Sequence, residues 1–525
     1  MTQGLSIMEK PLSLSTTRRR LHPRKCVFVS FFCVTISSLL LFIIFWCTNI
    51  FQNAILSSLV VKNGPMLEWF IRPPIRAIYK IRIFNYTNVM DYESGKAKKL
   101  KVKETGPYIY RETLTRINNI FHSDGSISFQ EKRSYQWEGG SPDDEIVVVP
   151  NVPLLASMAT MRNAPFFAQL AFTGVLSTLQ SKTFLTLPVN GLLWGYDDRI
   201  FEIAKPFIAL QNEIPFDKFG LLAFKNGISS DVITINSGAN DLSKINMIKL
   251  INGKKHKKVW NDKKCDSIYG TQGYIFPSDM FNRPNATLEV YSNEMCRTLY
   301  LHNTGTSSSF GIPSLTFKPP KDTFHYSPDN NYCYCPESVP GVESTRTCPP
   351  AGIFNSSACS FDMPFLASFP HFYTGDKILM EKIDGLNPQA ELHESRLELH
   401  PRLGILIGGV SRIQLNIEAR RAIGMPFHGG LDDGQILPLL WIELTIDDIP
   451  EPLLSSLKHG YYTAAAVETG IQWGSVIILI LSSCLLMHVW RKQKKDLAST
   501  TTKHLFDNVG QENKVPDDSN NELPV

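Results

Sequence analysis

Charge is sparse in this chain. Asp, Glu, Lys and Arg make up 19% of its 525 residues, against 43% hydrophobic residues. The low hydrophobicity and high net charge that mark disorder are both missing. Internal repeats, low-complexity blocks and long linkers are missing too, so the middle of the chain reads as one large domain. The signatures of several enzyme classes are also lacking. There is no Gly-x-Ser-x-Gly nucleophile elbow, no P-loop and no Gly-x-Gly-x-x-Gly string. His393-Glu394 opens a zinc-protease-like string, but the second ligand position is Leu397. The acidic pairs Asp197-Asp198, Asp432-Asp433 and Asp447-Asp448 sit among turn-forming residues and read as solvated turns. No catalytic residue, metal or cofactor is implied, and the expectation is a protein that is not an enzyme.

The net charge of +4 is unevenly placed. Residues 1–25 carry +5, residues 491–525 carry zero, and the long middle is left at −1. A near-neutral body argues against nucleic-acid binding. The basic arm ends where an uncharged run begins, from Cys26 to Cys47; a second uncharged run goes from Gly470 to Trp490 and stops at Arg491, Lys492, Lys494 and Lys495. About 20 apolar residues are enough for a helix to cross a bilayer. The first run is longer than a signal-peptide core and lacks its small-residue cleavage site. Both basic flanks lie outside the pair of spans, so both termini are expected in the cytoplasm. The expected division is an arm over 1–25, a span over 26–49, an outer domain over 50–466, a second span over 467–490 and a tail over 491–525. Cys26 and Cys484, near the inner face, are candidates for palmitoylation.

Glycosylation acceptors at Asn85, Asn285 and Asn355 all fall in the outer segment. The cysteines divide the same way. Cys26, Cys33, Cys47 and Cys484 lie in or beside the spans, while Cys265, Cys296, Cys333, Cys335, Cys348 and Cys359 cluster outside. In an oxidising compartment six clustered cysteines read as three disulfides, with 15 pairings open. A zinc site is the rival reading, but its usual C-x₂₋₄-C spacing is absent at Cys333-Tyr334-Cys335.

Residues 77–110 alternate and are β-rich, with Lys96, Lys98, Lys99, Lys101 and Lys103 read as a solvated strand face. Residues 153–182 are rich in Ala, Leu, Met and Phe and predict two helices divided by Pro165, the second over about 165–181. The apolar residues Phe166, Phe167, Leu170, Ala171, Val175, Leu176 and Leu179 nearly encircle it. Such a helix is normally buried; the alternative is a greasy contact surface. Beyond residue 200, apolar stretches at 219–224, 232–235, 315–317, 403–410, 413–417 and 436–444 predict strands of a sandwich or barrel. The lysines at 254, 255, 257, 258, 263 and 264 read as a solvated loop, with anion binding as the alternative.

A set of short strings resembles the scavenger receptor class B family. They are Phe84-Asn85-Tyr86-Thr87-Asn88, Glu104-Thr105-Gly106-Pro107-Tyr108, Val149-Pro150-Asn151, Leu193-Trp194-Gly195-Tyr196, Ile251-Asn252-Gly253, Tyr332-Cys333-Tyr334-Cys335-Pro336, Leu386-Asn387-Pro388 with His393, Pro401 with Gly404, and Arg412-Ile413-Gln414-Leu415-Asn416. They span nearly the whole outer segment in the family's order. The resemblance implies a β-dominated α+β ectodomain with an antiparallel β-barrel core, an apical bundle of short helices and an apolar tunnel, flanked by two transmembrane helices. It implies the pairings Cys265–Cys333, Cys296–Cys359 and Cys335–Cys348. It places the 152–182 helices at the apex and suggests Lys182, Gln180 or Arg162 for ligand capture. Implied partners are lipoprotein particles or lipids such as fatty acids, sterols and carotenoids, taken up at the plasma membrane, with a homo-oligomer compatible with this reading. Rival readings are an endolysosomal trafficking receptor for protein cargo or lipid and a phagocytic receptor for anionic particles. The tail has neither Tyr nor an acidic dileucine string, which favours the cell surface. Its terminal Leu523-Pro524-Val525 offers a PDZ-type end, against the plainer reading of an unbound tail.

Overall fold

The computed structural model describes residues 23–62, 64–209, 216–283, 285–337, 346–422 and 429–512. The basic arm before residue 23 and the terminal tripeptide lie outside these. The chain separates into two units, one formed by residues 52–463 and the other by the two chain ends.

In the smaller unit, Cys26–Cys47 and part of Glu451–Lys503 are helical stretches long and apolar enough to cross a membrane. The two helices meet at aromatic and amide side chains. Trp46 packs edge-on against Trp473 at 5.6 Å. Gln472 Nε2 donates to the Phe45 carbonyl at 2.9 Å. Amide hydrogen bonds of this kind join helices where apolar surface alone does not distinguish partner from lipid.

The larger unit is built on eleven strands: β1 (Ile78–Tyr86), β2 (Leu100–Phe121), β3 (Ser126–Gly140), β4 (Ile233–Asn236), β5 (Ile248–Ile251), β6 (Thr287–Ser292), β7 (Arg297–Ser309), β8 (Ile312–Lys318), β9 (Arg396–Leu399), β10 (Leu406–Ala419) and β11 (Gln435–Thr445). Their order in the sheet is β5-β4-β3-β2-β1-β11-β10-β9-β8-β7-β6, and neighbours are antiparallel. The order around the sheet is therefore the order along the chain, with β1 and β11 side by side. The path's two ends are joined by a two-residue seam. Ile248 N–H donates to the Gly270 carbonyl at 2.8 Å, while Thr271 N–H donates to Glu289 and Tyr291 N–H to Thr271, each at 2.9 Å. The expected barrel is thus closed through Gly270 and Thr271. A Cβ on Gly270 (φ +99°) would lie 2.9 Å from the Glu289 carbonyl oxygen, so only glycine lets the seam approach.

The strands follow from alternating sequence. On β1, Ile81, Ile83 and Phe84 are fully buried and pack with Tyr108, Leu440 and Ile417. Each such side chain contributes about 1.5–3 kcal/mol on burial. Lys101 and Lys103 alternate with buried Val102 and form a solvated strand face, whereas Lys96, Lys98 and Lys99 lie exposed in the bend before β2 and not on a strand as expected.

Two strand expectations fail. Residues 219–224 form one β-bridge, Phe219 to Tyr196, then a turn and the start of a short 3₁₀ helix. Their N–H groups are taken by a neighbouring helix end: Leu221 and Leu222 donate to the carbonyls of Leu192 and Leu193 at 2.9 and 2.8 Å. A Cβ on Gly220 would fall 2.7 Å from Gly195 N, so the segment is pressed against that helix. The stretches 403–410 and 413–417 belong chiefly to one strand, β10. Polar Ser411 and Arg412 mark no turn; Arg412 stays in the ladder and binds Glu443 at 2.8 Å.

The six clustered cysteines join as Cys265–Cys333, Cys296–Cys359 and Cys335–Cys348, with Cα separations of 6.2, 6.1 and 4.6 Å. Arg346 holds this region together. Its Nη1 donates to the carbonyls of Cys333 and Cys335 at 2.6 and 3.0 Å, and its Nη2 donates to Trp260 and Glu337.

Candidate functional site

The helices Val152–Met161 and Phe166–Thr178 form as composition predicts. Asn151 caps the first, its side chain accepting from Leu154 N–H at 3.1 Å. Pro165 precedes the second and fixes its entry. Their burial departs from expectation. Leu154, Met158 and Leu176 enter a small core with Ile200 and Ala422, and Leu179 packs against its edge. Phe166, Phe167 and Leu170 remain 57%, 82% and 52% accessible, and Val175 is exposed beside them. The second helix therefore uses one stripe for packing and shows a broad apolar face to solvent.

The polar candidates around these helices separate. Arg162 is bound to Asp433 at 2.7 Å. Lys182 and Gln180 are exposed. Gln180 has a positive φ of 49°, and the backbone carbonyl of Lys182 accepts from Asn151 Nδ2.

The remaining candidates are placed as follows. Asn285 is exposed, whereas Asn85 and Asn355 are half-buried. Asn85 Oδ1 accepts from Val148 N–H at 2.9 Å. The acidic pairs serve separate ends. Asp197 binds Lys218 at 2.9 Å while Asp198 accepts from Phe201 N–H. Asp432 binds Lys382 and Asp433 binds Arg162. Asp447 binds Lys80 and Asp448 binds Arg111. Asp262, Cys265 and Cys333 lie together, but both sulfurs are used in one disulfide, which removes the thiolates a zinc ion would need. A cavity of about 300 Å³ is lined by Lys318, Ala390, Glu391, Glu394 and Arg396. Its walls are charged, with Lys318 paired to Glu394.

A second cluster escaped sequence reading. Along β2 the inward phase runs Tyr108, Tyr110, Glu112 and Arg116, and along β3 it runs Phe129, Glu131, Arg133 and Tyr135. Glu112 faces Tyr135 across the ladder and Arg116 faces Glu131. The signal was present as charges on the apolar phase of a period-two pattern. Tyr79 and Tyr135 both donate to Glu112 Oε1, at 3.3 and 3.0 Å, and Arg133 binds Glu131 at 2.6 Å.

Comparison with known proteins decides the relationship. The CD36 family model matches residues 28–490. The chain belongs to the CD36 family. It is 32% identical to scavenger receptor class B member 1 of Bos taurus over 378 residues, covering 70% of each chain. To the Mus musculus protein of the same name it is 30% identical, again covering 70% of each. To lysosome membrane protein 2 of Homo sapiens it is 29% identical over 385 residues, which is 71% of this chain and 76% of that one. The family match spans both apolar helices and the whole sheet, so the β-dominated α+β architecture is the CD36-family architecture.

Proposed function

We propose that this CD36-family protein is a two-pass receptor of the plasma membrane, with both termini in the cytoplasm. It captures lipoproteins or free lipids (fatty acids, sterols or carotenoids) and passes them through the barrel interior to the bilayer. The observation that carries this reading is the solvent-facing patch of Phe166, Phe167, Leu170 and Val175 on one helix. An acyl chain loses about 0.8 kcal/mol per CH₂ exposed to water. A greasy docking face followed by a sheltered path removes the largest barrier to moving such a chain. Exposed Lys182 and Gln180 would meet a polar head at the same face; Arg162 is engaged by Asp433 and plays a smaller part. Glycans at Asn85, Asn285 and Asn355 belong to the same outer-surface reading. The test is uptake of labelled lipid by cells expressing the full chain, with lipid binding by purified protein. Uptake no faster than in control cells, together with no bound lipid, would overturn it.

A second reading has one specific support, the likeness to lysosome membrane protein 2. In it the same patch carries a protein cargo to an endolysosomal membrane. Surface biotinylation separates the two, because only the first places most of the protein at the cell surface.

A further inference from the structure

The second uncharged run does not end its helix. The helix Ala464–Glu512 continues past Trp490, and residues 491–503 are exposed apart from half-buried Gln493. The zero net charge after residue 490 conceals two unlike halves. Residues 491–503 set Arg491, Lys492, Lys494, Lys495 and Lys503 against Asp496, a net +4. Residues 504–525 hold one Lys against five acidic residues, a net −4. At the end of the basic half stand four hydroxyl residues in a row, Ser499, Thr500, Thr501 and Thr502.

Helical geometry ranks these hydroxyls. Residues four apart are neighbours on a helix surface. Ser499 lies four residues after Lys495 and four before Lys503, and Lys492 is on the same side two turns back. The residues four before Thr500, Thr501 and Thr502 are Asp496, Leu497 and Ala498. Ser499 alone of the four therefore has a lysine one turn away on each side. The block is also poorly committed to helix. Ser and Thr are weak helix formers, and their hydroxyls compete for the helix's own carbonyls. Ser499 Oγ and Thr500 Oγ1 donate to the Asp496 carbonyl at 2.9 and 2.8 Å, Thr501 Oγ1 to Leu497 at 2.9 Å and Thr502 Oγ1 to Ala498 at 2.6 Å. A kinase, which takes its substrate extended, can open the helix here at low cost. The rest of the segment suits a lipid headgroup layer. Trp490 and Leu497 are exposed, and Lys494 Nζ lies 5.5 Å from the centre of the Trp490 ring.

We propose that Ser499 is a phosphorylation site for a basophilic protein kinase, and that its phosphate releases residues 496–503 from an anionic inner leaflet. Hydroxyl-to-carbonyl bonding of the kind seen here bends helices, which lays the turn beyond Lys495 along the leaflet. In the transfer, Ser499 Oγ bonds to the γ-phosphorus of ATP as the bond from that phosphorus to the β-bridging oxygen breaks. ADP leaves, and the hydroxyl proton passes to the kinase's base. The phosphate adds about −1.5 to −2 charges, so the +4 of residues 491–503 falls to about +2. One turn from both Lys495 and Lys503, it takes them from lipid phosphates. Attraction to the leaflet follows the remaining charge and fades within a Debye length, about 8 Å at physiological salt. The site rests on the reading of both termini as cytoplasmic, where ATP is present.

The test has two parts. The full chain, purified from expressing cells with phosphatases inhibited, is mapped by mass spectrometry; phosphate is expected at Ser499. Phosphate on none of the four hydroxyls, or only on the threonines, would overturn the site. The full chain is then placed in nanodiscs of phosphatidylcholine with or without phosphatidylserine, with a fluorescent amino acid encoded at Ala498 and a spin-labelled headgroup lipid as quencher. Phosphatidylserine should raise quenching at least about twofold. Encoded phosphoserine at position 499 should remove that increase, and Ser499→Ala should keep it. Equal quenching in both lipids, no effect of the phosphate, or loss of the increase in Ser499→Ala would overturn the release. Digestion of residues 491–525 by protease added outside intact cells would overturn the cytoplasmic reading and the site with it; protection without phosphate at Ser499 overturns the site alone.

Discussion

The imidazoles of His371 and His393 stack with centroids 4.5 Å apart and planes 15° from parallel. Both rings are buried, and each accepts a backbone N–H on Nδ1: His371 from Asn387 at 3.1 Å, His393 from Gln389 at 2.9 Å. His371 Nε2 then donates to Glu104 Oε2 at 2.7 Å, and Trp441 Nε1 donates to the same oxygen. Burial raises the Glu104 carboxyl, but the hydrogen bonds from His371 and Trp441 and the nearby Arg82 charge outweigh it and bring the group below its ordinary value. Burial, then the neighbouring His371, push His393 down to about 4; Glu104 opposes this, and Arg412 and Arg82 add to it.

This arrangement predicts acid sensitivity. An unfolded histidine titrates near about 6.5, above the folded value. The unfolded chain therefore binds more protons between these values. The His393 contribution is fully present above about pH 6.5 and is lost as pH falls toward 4, on the order of 2–3 kcal/mol in all. Protonation would also set an N–H against the Gln389 N–H. Melting temperature measured from pH 7 to pH 4 should fall, and His393→Phe should flatten that fall.

Phe167 is the most exposed side chain of the apolar face proposed above for lipid capture. Phe167→Glu should leave the melting temperature within about a degree, since exposed substitutions away from special features cost within about 0.5 kcal/mol. Lipid uptake by cells expressing the variant should fall several-fold. Lys182→Ala should weaken capture of anionic lipids more than neutral ones, and the difference should shrink at high salt.

Arg346 gives four hydrogen bonds in the disulfide region, three of them to backbone carbonyls. Lysine cannot reproduce that fork. Arg346→Lys should destabilise the protein by about 2–4 kcal/mol, read as a lower midpoint in denaturant titration with all three disulfides still formed on non-reducing mass analysis.

Gly270→Ala places a methyl group against the Glu289 carbonyl at a backbone angle that favours glycine. The expected cost is about 1–3 kcal/mol. Faster hydrogen exchange at Thr271 and Tyr291 than at β1 would locate the damage to the seam.

Much of this was legible in residues. Alternation around Val102 exposed the strand face, Pro165 divided the two helices, and uncharged runs marked the spans. The failures share a cause. The sequence at 219–224 is as apolar as a strand, but its N–H groups are claimed by the carbonyls of Leu192 and Leu193, a partner that lies outside any local window. Likewise the apolar circumference of the 166–178 helix reads as buried, while only packing against Ile200 and Ala422 decides which stripe is covered. The inner charges at Glu112, Arg116, Glu131 and Arg133 had a local signature, but their pairing depended on the β2–β3 register.

The neighbourhood of β1 and β11 has a consequence for how the molecule is made. Ile78 pairs with Thr445, so the first strand of the sheet waits for the last. During synthesis, which proceeds at about 5–20 residues per second, β1 holds one bare edge until almost the whole larger unit has emerged. Such an edge invites pairing with other chains. A chain ending before Gln435 would never cover it, so premature termination anywhere upstream should yield an aggregating product rather than a smaller working one.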